Sequence, residues 1–154
     1  MCGRANRMET FTVERVIAAP VERVFDWCSV TSNYERSGWV VRDVLTRPGE
    51  GAPYGLGAVR RHTWVIGRFV ERITRYDAPN AFDYVVEQSF PPARHEGGTM
   101  TFEAVPGGTR VVWSTTVEVP FGGAFVTRRI AGPVITYVFG RILRACEREL
   151  VAAN

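Results

Sequence analysis

Residues 98–118 read GTMTFEAVPGGTRVVWSTTVE, and residues 133–151 read PVITYVFGRILRACERELV. In the first stretch, apolar and polar side chains alternate on both sides of a Pro-Gly-Gly turn, which predicts an antiparallel hairpin with one apolar face. In the second, apolar residues recur at helical spacing, which predicts a long amphipathic helix. An apolar sheet face followed by an amphipathic helix indicates that the helix covers the sheet.

The hairpin belongs to a longer meander of short strands, which we expect to pair antiparallel because only tight turns separate them. An earlier strand, a helix beginning near Pro20 (VERVFDWCS) and another strand precede it. Gly132-Pro133 should kink or break the tail, so its regular helix is predicted to begin near Pro133. The predicted strands are 9–18, 39–46, 58–66, 68–76, 81–90, 98–105 and 109–119. The fold class is therefore α+β, with about seven strands and a long C-terminal helix.

The length of 154 residues fits one domain with room for a core and a cavity. We expect a disordered leader at residues 1–8, with Met8 as a candidate start, and a single ligand-binding domain over residues 9–152. No stretch approaches 18 apolar residues, which argues against an integral membrane span.

The composition narrows the function classes. The 19 basic residues are all arginine and are scattered along the chain, with a net charge of +3. Since no basic face is visible, we expect no nucleic-acid partner. Cys2, Cys28 and Cys146 lie far apart without CxxC spacing, so neither a disulfide framework nor a zinc site is expected. We therefore predict a cytoplasmic protein without metal or cofactor.

Glu71 and Arg60 form the most informative polar pair. In RFVERIT, Glu71 has the same strand parity as Phe69 and Ile73, which points its carboxylate towards the apolar side. A buried carboxylate needs a partner. Arg60 is the candidate, because a hairpin around Ile66-Gly67 would bring the strand of Arg60 against that of Glu71. The pair is either a polar anchor or general base in a pocket, or a structural ion pair, and the structural reading is favoured.

The histidines and Tyr84 complete the catalytic candidates, which are Glu71, Arg60, His62 and Tyr84. His62 has the parity of Arg60 and Trp64, and both a catalytic and a structural role stay open for it. His95 lies in the segment PPARHEGG, where a solvated loop position is favoured over one at a cavity mouth. Tyr84 faces inward, where its hydroxyl needs a partner and could meet a ligand.

A set of aromatic and soft side chains is expected to line a pocket between the sheet and the C-terminal helix, although plain core packing is the alternative for about half of them. The predicted ligand-binding residues are Trp64, Phe69, Tyr84, Gln88, Met100, Phe102, Trp113, Tyr137 and Phe139, with Trp39 as a further aromatic candidate. The glycine-rich loop at residues 49–57 lacks the Lys-Ser/Thr of a phosphate loop and is interpreted as a gate over the cavity.

Several short motifs occur in a family order. The opening strand ends in Ala19-Pro20 before VERVFDW, followed by GLGAVR at residues 55–60, Glu71 with Ile73, Tyr84, and GGTRVVW at residues 107–113. In these features the chain resembles the polyketide cyclase/dehydrase and lipid-transport branch of the START-like, birch-pollen-allergen-like superfamily, from about residue 9 to residue 151. The resemblance implies a helix-grip fold, a curved sheet around the C-terminal helix, and a ligand cavity.

The resemblance leaves the activity open, because one fold hosts many functions. The leading hypothesis is a carrier or sensor for an apolar or aromatic, lipid-like or polyketide-like molecule. The alternative is a polyketide aromatase/cyclase that catalyses aldol closure and dehydration. A third reading, a toxin–antitoxin or ribosome-associated relative, would require a basic face that the sequence lacks. Two or more titratable groups converging in the cavity would favour the enzyme.

The expected partners are a hydrophobic small molecule and, as an open alternative, a second copy of the chain in a homodimer.

Overall fold

The computed structural model of the protein describes residues 8–152. The predicted leader lies outside these residues apart from Met8. The strands are β1 (Glu9–Ile17), β2 (Val40–Arg47), β3 (Val59–Trp64), β4 (Gly67–Asp77), β5 (Ala81–Phe90), β6 (Arg94–Val105) and β7 (Gly108–Glu118). The helices are α1 (Val21–Ser29), a 3₁₀ helix (Thr31–Ser37), α2 (Gly123–Val126), a π-helical turn (Thr127–Ala131) and α3 (Gly132–Ala152).

The strands form one antiparallel sheet in the order β1-β7-β6-β5-β4-β3-β2. From β2 to β7 each strand pairs with the next in sequence, and β1 returns to the edge beside β7. The predicted meander and its antiparallel pairing are therefore confirmed. Helix α1 and the 3₁₀ helix connect the two edge strands.

Helix α3 covers the apolar face of the sheet. Its buried side is formed mainly by Val138, Phe139, Ile142, Leu143, Cys146 and Leu150. The regular helix begins at Gly132, one residue before Pro133, as the sequence predicts. Pro133 has no backbone N–H to donate to the preceding turn of helix. The π-helical turn lies directly before the start of α3.

Helix α1 closes the other end of the sheet. Val24, Phe25 and Cys28 are fully buried, and the Phe25 ring meets the rings of Phe82 and Phe102 edge-on at centroid distances of 6.0 and 5.1 Å. Edge-to-face packing of this kind adds to the free energy of area burial. This end of the interior is filled with aromatic side chains.

The sheet is not continuous between β5 and β6. These strands pair only from Ala81↔Thr101 to Tyr84↔Gly98. Beyond Tyr84, β5 continues to pair with β4, and β6 continues to pair with β7. We call this divergence, between residues 85–90 of β5 and 94–97 of β6, the split.

The split corrects one sequence prediction. Residues 94–97 belong to β6 and not to a turn. Their partner is β7 alone, because the pairing of β6 with β5 covers only residues 98–101. The strand therefore begins four residues earlier than its alternation indicates.

Candidate functional site

A cavity of about 80 Å³ lies between the sheet and the first half of α3, beside the split. Its wall is mostly apolar and comes from β3 to β7, the turns at either end of the β4–β5 hairpin, and α3. The apolar lining residues are Trp64, Ile66, Phe69, Val86, Ala93, Val117, Ile135 and Phe139. The polar lining residues are Glu71, Tyr84, Ser89, His95 and Thr115.

The cavity occupies only part of the region that the sequence assigns to it. Of the nine predicted ligand-binding residues, four lie in its lining: Trp64, Phe69, Tyr84 and Phe139. Met100, Phe102 and Trp113 face inward as predicted but lie in the filled core. The Phe139 ring stacks on Trp113 with centroids 3.7 Å apart, and this contact fills the space above Trp113.

Gln88 was wrongly placed in the lining, and a β-bulge explains why. Val86 pairs with Glu71 while Gln88 pairs with Val70, so Glu87 is an extra residue in β5. An extra residue inverts the alternation that follows it. Gln88 is therefore exposed, and Ser89 lines the cavity in its place.

Two further expectations about the cavity are also wrong. Tyr137 lies on the outer side of α3, 54% exposed, with its ring edge-on to Trp39. The loop at residues 49–57 contributes nothing to the lining and is held by a Glu50↔Leu56 bridge and a 3.0 Å hydrogen bond from Gly57 N–H to the Ile73 carbonyl. Ile66 and Ala93, in the turns that flank β4 and β5, border the cavity instead.

A buried charged cluster lies directly behind Glu71, on β2, β3 and β4. Arg60 donates to Glu71 Oε1, and His62 Nε2 lies 2.8 Å from the same oxygen. His62 Nδ1 contacts the Asp43 carboxylate, whose other oxygen accepts a 2.8 Å hydrogen bond from Thr31. The predicted Arg60–Glu71 contact is therefore present, and Asp43 and His62 extend it to two cations and two carboxylates.

The cluster shifts the pKa values of its members. Burial alone would lower the pKa of His62, but the adjoining Glu71 and Asp43 carboxylates outweigh burial and raise it to about 9. Burial alone would raise the pKa of Glu71, but His62 and Arg60 lower it to about 2. His62 is therefore a cation and Glu71 an anion near neutral pH.

The contact between His62 and Glu71 is ionic rather than a well-aligned hydrogen bond. Although the two atoms are 2.8 Å apart, His62 Nε2 has no partner of hydrogen-bonding geometry within residues 8–152. The His62 ring instead lies between two carboxylates. Their charges favour the imidazolium even where the hydrogen-bond angle is poor.

Tyr84 lies at the inner end of the cavity. Its hydroxyl accepts a 2.7 Å hydrogen bond from Trp113 Nε1. Burial, together with the negative charge of Glu71, raises the pKa of Tyr84. A Cβ at Gly98 would lie 2.1 Å from the Tyr84 ring, so only glycine leaves space for this side chain. This role of Gly98 was not predicted from the sequence, because a glycine contributes no side chain to the alternation.

His95 bridges the split. Its Nδ1 accepts a 3.1 Å hydrogen bond from the Val86 N–H, and Nε2 lies 2.7 Å from the Thr115 hydroxyl oxygen. Since a backbone N–H can only donate, Nδ1 carries no proton, and Nε2–H donates to Thr115. The imidazole therefore replaces a missing backbone contact between β5 and β6.

The prediction of a solvated loop position for His95 is wrong. His95 pairs with Val117 and Gly97 with Thr116, so Glu96 is an extra residue and His95 turns inward. Its ring stacks on Tyr84 with centroids 5.6 Å apart. Burial lowers the pKa of His95, although Glu71 opposes the shift, and the ring is neutral near pH 7.

A helix-grip protein is defined by these features: a curved antiparallel sheet, a long C-terminal helix across it, and a cavity between them. The model of one family, described as polyketide cyclase / dehydrase and lipid transport, matches residues 8–153. The chain belongs to this family, which agrees with the resemblance found in the sequence. The family and the fold fit either binding of hydrophobic ligands or polyketide cyclase/dehydrase activity.

Solved structures support the fold. The Thermus thermophilus protein TTHA0849 is 21% identical with a TM-score of 0.75, covering 95% of this chain and 99% of its own. Ara h 8.0201 is 18% identical with a TM-score of 0.69, covering 94% and 99%. A Nitrosospira multiformis protein is 18% identical with a TM-score of 0.68, covering 92% and 96%. At these identities the likeness concerns the fold alone, and no curated protein matches the chain significantly.

Two further observations concern the site and the helices. Across residues 8–152, no three His, Cys, Asp or Glu side chains are arranged to hold a metal ion. In the same part of the chain, no helix combines the length and apolar character needed to cross a bilayer.

Proposed function

We propose that the protein binds a small, predominantly apolar molecule in the cavity beside the split, as a carrier or sensor. The observation that carries this proposal is the protonation and hydrogen bonding of the polar groups that line the cavity. Each can donate or accept a hydrogen bond, yet none is poised to transfer a proton near neutral pH. An apolar wall with a few fixed polar groups is typical of ligand pockets.

The three titratable lining groups illustrate this state. A carboxylate with a pKa of about 2, such as Glu71, is a weak general base at pH 7. Tyr84 has a raised pKa and is a weak acid. The proton-accepting nitrogen of His95 is already occupied by the Val86 N–H. These groups are suited to orient a ligand.

The size of the cavity limits how a ligand fits. A cavity of about 150 Å³ holds one aromatic ring, whereas this one measures about 80 Å³. A ligand with one ring or more must therefore displace side chains at the open end. Ile66 and Ile135 are partly buried and border the cavity, so we expect these two side chains to move.

Thermal unfolding with a panel of flavonoids, polyketide-like aromatics and fatty acids tests the proposal. A ligand at about 100 times its dissociation constant adds roughly 2.7 kcal/mol to stability. Trp64 borders the cavity, and its emission should change on binding. Trp64→Phe should remove that change, while Trp39→Phe, outside the cavity, should preserve it. If no apolar compound raises the unfolding temperature, the proposal is refuted.

The second candidate is a polyketide cyclase/dehydrase, and one observation favours it. Glu71, Tyr84 and His95 converge on one cavity, which is the arrangement expected of an enzyme. Such an enzyme would act mainly by positioning a poly-β-ketone chain for aldol closure. Turnover of a poly-β-ketone analogue, with its loss in Tyr84→Phe or His95→Asn, would replace the binding proposal with this one.

A further inference from the structure

The two carboxylate oxygens of Glu71 have different surroundings. Arg60 and His62 both approach Oε1. Within residues 8–152 no group donates a hydrogen bond to Oε2. This oxygen is nevertheless not sealed from solvent, unlike the buried polar atoms that lack a partner. It is therefore an accessible acceptor with unused capacity, in a residue that is otherwise buried.

The accessible oxygen belongs to the cavity. Glu71 is part of the lining, whereas Arg60 and His62 are not. The carboxylate thus stands between the cavity and the two cations. A molecule that enters the cavity meets the carboxylate before it can reach either positive charge.

The charges behind Glu71 balance. Arg60 and His62 are two cations, and Glu71 and Asp43 are two carboxylates, all buried. No excess positive charge remains to attract an anion, and an anionic ligand would place its charge next to Glu71. A cation would lose its hydration without finding an unbalanced counter-charge.

From this geometry we infer that the ligand is an uncharged apolar molecule whose hydroxyl group donates a hydrogen bond to Oε2 of Glu71. The inference rests on the proposed function and names the ligand class for the same cavity. A fatty acid is excluded at this position, because its carboxylate would meet another carboxylate. A phenol or an alcohol on an apolar skeleton fits.

Three compounds with the same skeleton test the inference on the unaltered protein: ethylbenzene, 4-ethylphenol and 4-ethylbenzoate, titrated at pH 7 by calorimetry. We expect 4-ethylphenol to bind about tenfold more tightly than ethylbenzene, because a hydrogen bond to a charged acceptor is strong. The hydroxyl group makes 4-ethylphenol more soluble in water than ethylbenzene, which by itself would weaken binding to an apolar cavity. Tighter binding of 4-ethylphenol therefore requires a specific contact with the hydroxyl. We expect 4-ethylbenzoate to bind most weakly.

The methyl ether 4-ethylanisole isolates the donor. It keeps the oxygen of 4-ethylphenol but has no O–H, so it should bind no better than ethylbenzene. If 4-ethylanisole or 4-ethylbenzoate binds as tightly as 4-ethylphenol, the inference is overturned while the proposed function stands. If none of the four compounds binds and the wider apolar panel also fails, both are overturned.

A pair of variants assigns the contact to Glu71. In Glu71→Gln, the advantage of 4-ethylphenol over ethylbenzene should fall about fivefold, and 4-ethylbenzoate should gain affinity. Glu87→Gln is the matched control, because Glu87 is exposed and paired with Arg72. The control should keep the natural order of affinities. Should Glu71→Gln fail to fold, the four-compound series on the natural chain still decides.

Discussion

His62 and His95 both point to the inner face of the sheet, but the sheet around them differs. His62 lies on β3, in the continuous part, where β2 contributes Asp43 and β4 contributes Glu71. His95 lies on β6 at the split, where its neighbour across the gap is the Val86 N–H. The pKa of His62 rises to about 9, whereas that of His95 falls below its usual value.

The difference teaches that burial alone does not set the state of a histidine. Both rings lose hydration, which disfavours the imidazolium. Two carboxylates reverse that effect at His62, while a backbone donor, which can only meet an unprotonated nitrogen, reinforces it at His95. One ring is consequently a structural cation and the other a neutral bridge. The following predictions test this contrast.

The largest expected effect is in the charged cluster. Glu71→Ala removes the carboxylate from both Arg60 and His62 and leaves buried charge uncompensated, so it should cost about 3–5 kcal/mol in urea unfolding. Glu87→Ala, which breaks an exposed pair with Arg72, should cost less than about 1 kcal/mol. Equal costs for the two variants would contradict the description of the cluster.

The second prediction concerns alkaline pH. The folded protein holds the His62 proton up to about pH 9, whereas the unfolded chain releases it near 6.5. This contribution is complete below pH 6.5 and is lost as pH rises to 9, a decrease of about 3 kcal/mol. Urea unfolding at both pH values measures it. In His62→Gln the decrease should be absent; a similar decrease there would assign the effect to other groups.

The third prediction concerns His95. His95→Ala leaves the Val86 N–H without its acceptor and should cost about 1–2 kcal/mol. His95→Asn can still accept at this position and should cost less. Because the folded pKa of His95 is depressed, its contribution is present above pH 6.5 and is lost as pH falls.

Hydrogen exchange at the Val86 amide measures this directly. Protection should fall in His95→Ala and on acidification of the natural protein. Unchanged protection in His95→Ala would mean that the bridge is not formed.

The smallest expected effect is at Thr115. Thr115→Val keeps the shape but removes the acceptor of the His95 Nε2–H, at a cost of about 1 kcal/mol. Thr116→Val, on the neighbouring outward position, removes only an exposed hydroxyl contact with Thr10 and should stay within about 0.5 kcal/mol. Thermal unfolding compares the two. If Thr116→Val is the more costly variant, the hydrogen bond from His95 Nε2–H to Thr115 loses its support.

The fold follows from periodicity, which is local information. The alternation of apolar and polar residues in β5, β6 and β7 predicts the antiparallel sheet. The helical spacing of apolar residues in α3 predicts the helix that covers it. The Arg60–Glu71 contact was also predictable, since one short hairpin sets the register between β3 and β4. Asp43 was not identified, because a long loop separates β2 from β3 and the register between them contains two irregularities.

Two of the errors in the site, at Gln88 and at His95, share a physical origin. A bulge adds one residue and inverts the faces beyond it, as at Glu87 before Gln88 and at Glu96 after His95. Bulges of this kind depend on how neighbouring strands pair, which local patterning does not contain. At Trp113, the division between cavity and filled core depends on tertiary packing, because the Phe139 ring stacks on the indole.

The split also bears on how far the connection between β5 and β6 can vary in length. Pairing between β5 and β6 ends at Tyr84↔Gly98. The loop that connects the two strands beyond this pair therefore does not set the register of the strands in the core. Residues can be inserted or deleted between Phe90 and Arg94 without displacing the strands that carry the charged cluster. The width of the access to the cavity can therefore change with the length of this connection alone, while the strands that carry the charged cluster keep their register.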